Sequence, residues 1–268
     1  MRGVGSGCSI VATGVNSRPP LHADFGYDPP ESEAMAQDEV PRPADWPDHT
    51  VAAFFGGLPG LVFGVLVPKG PYLNVSLLWR GPATDAITHF YQANAVPLKR
   101  FFADSPTSLC GCHPRINVRP SRSYFGDRWV AVGDAAVSRL YKDGINSALI
   151  TSGAAMRAAL AHGITRADFA RAYAPTCRRL AADNVYGKII FALSSHIMQS
   201  TLQATAFMSC VRAEASRPPA QRIHSRLLWG ILTGDESYRD LFWLTVKPQG
   251  VIRLGQALIK TALAARRS

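Results

Sequence analysis

The chain has 268 residues, of which 47% are hydrophobic and 18% are charged, a composition typical of a globular protein of one large or two small domains. Its formal net charge of +10 at pH 7 would suit a nucleic acid or an anionic membrane. The basic residues are spread along the chain without an aromatic-interleaved binding module, so we expect no nucleic-acid partner.

The first residues carry signals for a turn but not for a secreted protein. Residues 1–12 lack the basic start and the apolar core of a signal peptide. Residues 10–17, IVATGVNS, predict the end of a strand followed by a glycine turn. A strand followed by GxGxxG and a helix, which is the signature of dinucleotide binding, occurs nowhere in the sequence. Residues 27–47 are rich in proline and acidic residues and predict an irregular connection.

Three runs rich in β-forming residues follow, at residues 51–55, 61–67 and 72–79. Turns containing glycine and proline separate them, so they predict an antiparallel meander. Phe63, Val65 and Val67 alternate along the second run and should share one face of the sheet. That face either lines an apolar substrate pocket or belongs to the core of the sheet.

The next segment contains a cluster of thiols. Residues 85–104 predict a helix broken near Pro97, and residues 115–124 predict a returning strand. Between them lie Cys110, Cys112 and His113, but one short cluster without a second ligand pair does not predict a zinc site. We therefore expect no metal, and a redox role and ordinary free thiols both stay open. Five cysteines without framework spacing predict a reducing, cytoplasmic location.

The sequence is organised around residues 128–160. Trp129 to Val132 read as a short buried strand that Gly133 ends. Asp134 then lies at the carboxyl edge of the sheet, where α/β folds usually bind ligands, and its carboxylate can accept hydrogen bonds from a sugar hydroxyl. From Gly144 a helix of small residues begins, and its first turn offers free N–H groups to a phosphate or a ring edge.

Beyond residue 161 the pattern is helical only. Thr165 and Asp168 have the spacing of a capping box. An apolar stripe at helical spacing predicts one helix, and its members are Tyr173, Leu180, Val185, Ile189 and Leu193. Further helices are predicted over residues 195–214, 222–232, 238–245 and 249–265. The last helix mixes apolar and basic residues, so it either packs on the rest of the chain or makes a peripheral contact with an anionic membrane.

The sequence GDAA at residues 133–136, followed by DGINSA at residues 143–148, resembles the second flavin-binding motif of FAD-dependent oxidoreductases. The family is the superfamily of aromatic hydroxylases and geranylgeranyl-reductase-like flavoproteins. The resemblance implies cofactor contacts from six residues: Gly133, Asp134, Ala135, Gly144, Ile145 and Asn146. Asp134 would bind a ribitol or ribose hydroxyl of FAD, and residues 144–146 would contact the flavin through their backbone.

Other positions agree with the resemblance in part. Gly14, Asn16 and Ser17 match the turn that these flavoproteins carry before their substrate domain, whereas Thr13 replaces an acidic residue that is often found there. Val137 stands where the hydroxylases usually have histidine. This departure weakens the similarity to the hydroxylases more than the similarity to flavoproteins in general.

The resemblance implies an α/β fold with an incomplete FAD-binding Rossmann-type domain, an antiparallel-sheet substrate domain and a helical C-terminal region. The expected parts are residues 1–26, a remnant of the FAD-binding domain; 27–123, the substrate domain; 124–162, the GD motif and its helix; and 163–268, the helical region. The chain would then be the C-terminal part of an oxidoreductase. A misplaced start, a gene fragment or a separately encoded Rossmann segment would each account for it.

The implied function is that of an FAD-dependent oxidoreductase, reductase- or monooxygenase-like, with NADPH or NADH as reductant. An apolar or partly apolar organic substrate would contact Phe63, Val65 and Val67. No acid–base pair or nucleophile is evident, so we assign no catalytic residue, although Tyr141 and Lys142 lie near the flavin turn in sequence. The alternative is a noncatalytic remnant or ligand-binding module that has lost FAD, and we expect the isolated chain to be inactive.

Overall fold

The structure is a computed structural model, and it describes residues 7–15, 26–56, 58–80, 85–102 and 106–266. The chain forms two compact units, each assembled from separate stretches of sequence. The first unit contains Met1–Glu33, Ile116–Ile190 and Arg217–Val251. The second unit contains Ala34–Arg115, Phe191–Ser216 and Ile252–Ser268.

The fold is mixed α/β with antiparallel sheets and a helical C-terminal region, which confirms the predicted fold class. The strands are β1 (Ser9–Val11), β2 (Glu31–Ala34), β3 (Ala36–Pro41), β4 (Ala52–Phe54), β5 (Leu61–Lys69), β6 (Tyr72–Trp79), β7 (Arg115–Arg119), β8 (Phe125–Gly126) and β9 (Trp129–Ala131). The α-helices are α1 (Ala86–Ala93), α2 (Ala95–Leu98), α3 (Gly144–Ala161), α4 (Arg166–Ala172), α5 (Ala174–Gln199), α6 (Thr201–Glu214), α7 (His224–Thr233), α8 (Tyr238–Thr245) and α9 (Pro248–Ala265).

The second unit is built on a four-stranded antiparallel sheet in the order β3-β6-β5-β4. The predicted meander of β4, β5 and β6 is therefore confirmed. The irregular connection expected at residues 27–47 is wrong, because β2 and β3 lie within it. Ala36, Asp38 and Val40 are the buried residues of β3 and alternate along it. Because Asp38 is charged, the sequence lacks the alternation of apolar residues that predicts a strand.

Two predicted helices are interrupted. The break in the predicted helix at residues 85–104 falls at Asn94, whose buried Nδ2 donates to the backbone oxygen of Phe90. Pro97 lies instead within the single turn of α2, where a proline is tolerated. The predicted helix at residues 195–214 is divided at Ser200, whose side chain caps α6 by accepting from the backbone N–H of Gln203.

The first unit contains a short sheet in the order β1-β9-β8, in which β1 and β9 run parallel. Val130, Ala154, Ala158 and Phe169 belong to the buried cluster that joins this sheet to α3 and α4. The capping box of α4 is present as predicted. The expected apolar stripe begins with the buried Tyr173, but its last three members, on α5, are exposed: Val185, Ile189 and Leu193.

The last helix, α9, also leaves apolar side chains exposed. Ile252, Ile259 and Leu263 are 58%, 63% and 51% exposed and follow one another at helical spacing. Among the helices of the described residues, none has both the length and the apolar composition needed to span a bilayer.

Candidate functional site

The site begins where β9 ends. Trp129, Val130 and Ala131 are buried, and the N–H of Val132 continues the parallel pairing by donating to the backbone oxygen of Val11 at 3.0 Å. Because β1 and β9 run parallel, the residues that follow β9 emerge at the carboxyl edge of both strands. Gly133 then turns the chain with a φ of +61°, and a Cβ there would lie 3.2 Å from the Cβ of Ala148 on α3.

The turn places Asp134 beside the start of α3. A Cβ on Gly144 would lie 3.5 and 3.6 Å from the two carboxylate oxygens of Asp134, so this glycine leaves the space beside the carboxylate open. Asp134 is half-buried, and Nδ2 of Asn117 donates to its backbone oxygen at 3.1 Å. None of the described residues donates a hydrogen bond to its carboxylate. The carboxylate therefore keeps its acceptor positions for an external hydroxyl group.

The first turn of α3 supplies donors next to this acceptor. Asp143 precedes the helix in a left-handed conformation, and its side chain does not cap the helix but accepts from Nδ2 of Asn146 at 2.9 Å. The N–H groups of residues 144–146 have no intrahelical partner, and the dipole of an 18-residue helix makes this end partially positive. Ile145 is 84% exposed. The structure thus brings the predicted cofactor residues 133–135 and 144 together, with 145 and 146 on the adjoining turn.

Residues 133–142, which we call the GD loop, are held at their backbone by side chains from several elements. Four side chains donate to backbone oxygens of the loop: Tyr27 to Ala135, Asn117 to Asp134, Asn184 to Ser138 and Tyr238 to Leu140. Three side chains accept from its backbone N–H groups: Thr151 from Gly133, Ser147 from Arg139 and Asn184 from Leu140. These bonds fix the loop before any ligand arrives, which reduces the ordering cost of binding.

Arg139 anchors the loop from within. Its side chain is buried, Nη1 donates to the backbone oxygen of Gly234, and the guanidinium lies 4.2 Å from the ring centre of Tyr238. Its Nε lies 3.9 Å from the carboxylate of Asp183, which also accepts from the backbone N–H groups of Tyr238 and Arg239. Asp183 on α5 therefore connects the loop's arginine to the start of α8.

The end of the GD loop is conformationally strained. Tyr141, and Asp143 directly after the loop, have φ values of 62° and 58°. These values lie in the left-handed region, which residues other than glycine seldom adopt. Such residues cost about 1–3 kcal/mol each and persist where the surroundings determine them, often at functional sites. Tyr141 is buried. Burial lowers the pKa of the neighbouring Lys142 amine.

The anchor at Thr151 gives a first prediction. Its Oγ1 accepts from the N–H of Gly133 at 2.7 Å and donates to the backbone oxygen of Ser147 at 2.8 Å. Thr151→Val keeps the shape but leaves the buried N–H unpaired, so we expect a loss of about 1–3 kcal/mol in the free energy of unfolding, measured by urea denaturation. The exposed Ser152→Ala on the same helix is the control and should change stability by less than about 0.5 kcal/mol. Equal stability of Thr151→Val and wild type would contradict this role.

The residues proposed for the substrate pocket lie on β5 of the second unit. Gly64 and Leu66 face the buried cluster of the sheet, whereas Val65 and Val67 lie on the opposite face. On that face Phe63 is buried, Val65 is half-buried and Val67 is 36% exposed. The face is therefore packed at one end and open at the other.

These two faces give a second prediction. A Cβ on Gly64 would lie 2.9 Å from Cδ2 of Leu77 and 3.0 Å from Cε2 of Phe90, so Gly64→Ala should destabilise the unit by about 1–3 kcal/mol. Val65→Trp, one residue away on the more open face, should cost less than Gly64→Ala. Chemical denaturation of both variants compares the faces directly. A loss for Val65→Trp as large as that for Gly64→Ala would show that this face is packed core.

A cleft of about 480 Å³ lies elsewhere in the second unit, and no sequence pattern predicts it. It is lined by residues that include Phe55, Leu58, Val62, Met198 and Gln199, but by none of the three proposed pocket residues. Gly56 has a φ of +75°, and a Cβ there would lie 2.7 Å from the backbone oxygen of Met198. The glycine- and proline-rich turn was the only sequence signal at this place, and it indicated a loop rather than a cleft.

The turn after β1 lies only in part within the described residues. Gly14 follows β1 with a φ of +63°, whereas Asn16 and Ser17 lie outside the described residues. Within the part of the chain that the structure describes, no three His, Cys, Asp or Glu side chains are grouped to hold a metal ion. Among the loop anchors, the Ser147 and Thr151 pair has the i, i+4 spacing of one helix face, whereas Asn184 and Tyr238 gave no sequence signal.

Comparison with known proteins shows which solved structures have a similar fold. No protein-family model matches the sequence, and no curated protein matches it. The structure is similar to that of a flavoprotein/dehydrogenase from Cytophaga hutchinsonii, with a TM-score of 0.55 and 14% identity over 92% of this chain and 62% of that chain. A likeness at this identity shows the fold alone.

Two further solved structures have TM-scores of 0.49. A geranylgeranyl bacteriochlorophyll reductase-like protein from Thermoplasma acidophilum is 15% identical over 83% of this chain and 61% of that chain. CmlS, a flavin-dependent halogenase, is 16% identical over 86% of this chain and 43% of that chain. The chain thus spans less than two thirds of the length of each of these flavoproteins.

Proposed function

We propose that the chain provides the flavin-ring and ribityl side of the FAD site in an oxidoreductase of the reductase or monooxygenase kind. The observation that carries this proposal is the half-buried Asp134 carboxylate, which keeps open acceptor positions beside Gly144 at the start of α3. The fold shared with a flavoprotein/dehydrogenase supports the same cofactor.

In this proposal each part of the site has a distinct role. Asp134 accepts a hydrogen bond from a ribityl hydroxyl, and the N–H groups of residues 144–146 face an electron-rich ring edge or a phosphate. The anchored GD loop holds these groups in place. Bound FAD would supply the hydride and electron chemistry, with NADPH or NADH as reductant, while the protein orients the ring and the substrate. The substrate is an organic molecule with an apolar part.

We also propose that a separately encoded dinucleotide-binding segment is a partner of the first unit. In the described sheet β1 is an edge strand, and Ile10 on it is 56% exposed. On α3, Ile145, Leu149, Met156 and Leu160 are 84%, 67%, 52% and 81% exposed. A parallel strand against β1 and a helix against these side chains would cover surfaces of the kind that proteins normally bury.

Flavin content tests the proposal. Because the sequence contains no GxGxxG pattern, which binds the adenosine half in dinucleotide-binding folds, we expect the purified chain to carry little FAD and to show no NAD(P)H oxidation. Added FAD should nevertheless bind saturably, seen as a change in flavin fluorescence. Supplying a dinucleotide-binding segment, in cis or as a second chain, should yield a yellow and reducible protein. The noncatalytic alternative predicts that flavin does not bind under any of these conditions.

A second proposal, independent of flavin, is a peripheral contact of α9 with an anionic membrane. Ile252, Ile259 and Leu263 are exposed on this helix, and Lys260 and Arg266 are exposed on it or at its end. Wild-type protein should sediment with liposomes that contain phosphatidylserine, and Ile259→Asp should release it. The contact would be contradicted if Ile259→Asp sedimented with these liposomes as much as wild type does. It would also be contradicted if wild type bound neutral liposomes as strongly as those with phosphatidylserine.

A further inference from the structure

Two cysteines of the second unit lie at the free edge of its sheet. The sheet has the order β3-β6-β5-β4, so one edge of β3 is not paired with another of these strands. The loop at residues 109–112 lies along this edge. Cys112 and Gln37 exchange two backbone hydrogen bonds of 2.8 Å, and the N–H of Leu109 donates to the oxygen of Glu39 at 2.9 Å. The backbone on both sides of the thiols is therefore fixed.

A buried carboxylate completes the attachment. Asp38 on β3 is 3% exposed, and its Oδ1 accepts from the N–H of Cys110 at 2.9 Å and from that of Glu39 at 2.8 Å. The Cys110 backbone is thus held by a side chain, while that of Cys112 is held by a β-bridge. The sulfur atoms of Cys110 and Cys112 consequently lie only 2.6 Å apart, and both residues are exposed.

We propose that Cys110 and Cys112 form a two-electron redox pair that exchanges with a small-molecule disulfide of the glutathione class. A sulfur–sulfur bond is about 2.05 Å long, so the pair closes with little further movement. Because the sheet edge already holds both residues, much of the entropy of ring closure is lost on folding rather than on oxidation. Neither cysteine belongs to the proposed flavin site.

The exchange is balanced in two steps. One protein thiolate attacks a sulfur of oxidised glutathione, forms a mixed disulfide and releases one glutathione thiolate. The second protein thiolate then attacks the protein sulfur of that mixed disulfide, which breaks its bond to glutathione and forms the bond between Cys110 and Cys112. Two electrons and two protons pass to two molecules of glutathione, so the protein is oxidised and glutathione disulfide is reduced.

Exposure, rather than the pKa of its thiols, distinguishes this pair from the other three cysteines. A hydrogen bond with Cys112, then partial desolvation and the nearby charges, raise the pKa of Cys110, so exchange should accelerate as the pH rises. Cys177 and Cys210 are buried, and burial raises the pKa of Cys177 to about 11. Cys8 is half-buried, and burial also raises its pKa. These three cysteines serve as internal controls.

The test uses the full chain, reduced and then equilibrated with defined ratios of reduced and oxidised glutathione. After acid quenching and alkylation of free thiols, peptide mass spectrometry should find an internal disulfide between Cys110 and Cys112, with the other cysteines alkylated. The equilibrium constant for closure should be at least about tenfold larger in native protein than in protein unfolded by urea. Cys110→Ser and Cys112→Ser should each accumulate the mixed disulfide, and Cys8→Ser should behave as wild type.

Two outcomes would overturn the proposal. In the first, the wild-type peptide that contains Cys110 and Cys112 is found only alkylated, or only as a mixed disulfide with glutathione, at every glutathione ratio. The other is an equal closure constant in native and unfolded protein, which would show that the sheet edge does not arrange the two thiols. Neither outcome bears on flavin binding.

Discussion

Asn184→Leu should destabilise the protein by about 2–6 kcal/mol, the largest loss expected for a single substitution at the GD loop. The amide of Asn184 accepts from the N–H of Leu140 and donates to the oxygen of Ser138, both at 2.8 Å and both buried. Leucine of similar size leaves two buried backbone groups unpaired, at about 1–3 kcal/mol each. Urea denaturation followed by circular dichroism measures the loss.

Two further substitutions test whether the loss comes from the hydrogen bonds of Asn184 to the GD loop. Asn184→Asp keeps an acceptor for the N–H of Leu140 but places a buried carboxylate against the oxygen of Ser138, so it should destabilise the protein although that acceptor is kept. Asn146→Ala, at the exposed start of α3, should cost less than about 1 kcal/mol. A small loss for Asn184→Leu, no greater than that of Asn146→Ala, would show that the loop does not depend on this anchor.

Asp134→Ala should weaken flavin binding by about tenfold to a hundredfold, because a charge-assisted hydrogen bond contributes about 1.5–3 kcal/mol. The stability of the free protein should change little, since none of the described residues hydrogen-bonds the carboxylate that is removed. Titration of FAD, followed by flavin fluorescence, compares the variant with wild type. The exposed Asp45→Ala, in the second unit, controls for the loss of one negative charge. Unchanged FAD affinity in a folded Asp134→Ala protein would remove this residue from the site.

The local elements of the site could be predicted because their signals are local. A run of buried residues before Gly133, and small residues after Gly144, are sufficient to indicate a strand, a turn and a helix. The closeness of Asp134 to Gly144 followed from the resemblance rather than from spacing. The antiparallel meander was also predictable, since glycine and proline turns separate its β-rich runs.

The rest could not be predicted because it depends on contacts between residues distant in sequence. Asn184 reaches the GD loop across 44 residues, and Tyr238 reaches it across 98. No single-sequence pattern distinguishes them from other polar residues of helices. Strand β3 was missed for a related reason, since the carboxylate of Asp38 occupies a buried position that the alternation rule assigns to an apolar side chain.

Binding of the two halves of FAD tests the central claim most directly. Riboflavin contains the ring and the ribityl chain, whereas adenosine represents the opposite end of the cofactor. Isothermal titration of the purified chain should show saturable binding of riboflavin that Asp134→Ala weakens and Asp45→Ala preserves, and no binding of adenosine. Binding of adenosine without riboflavin, or riboflavin binding that is indifferent to Asp134, would contradict a flavin-ring and ribityl site at the GD loop and α3.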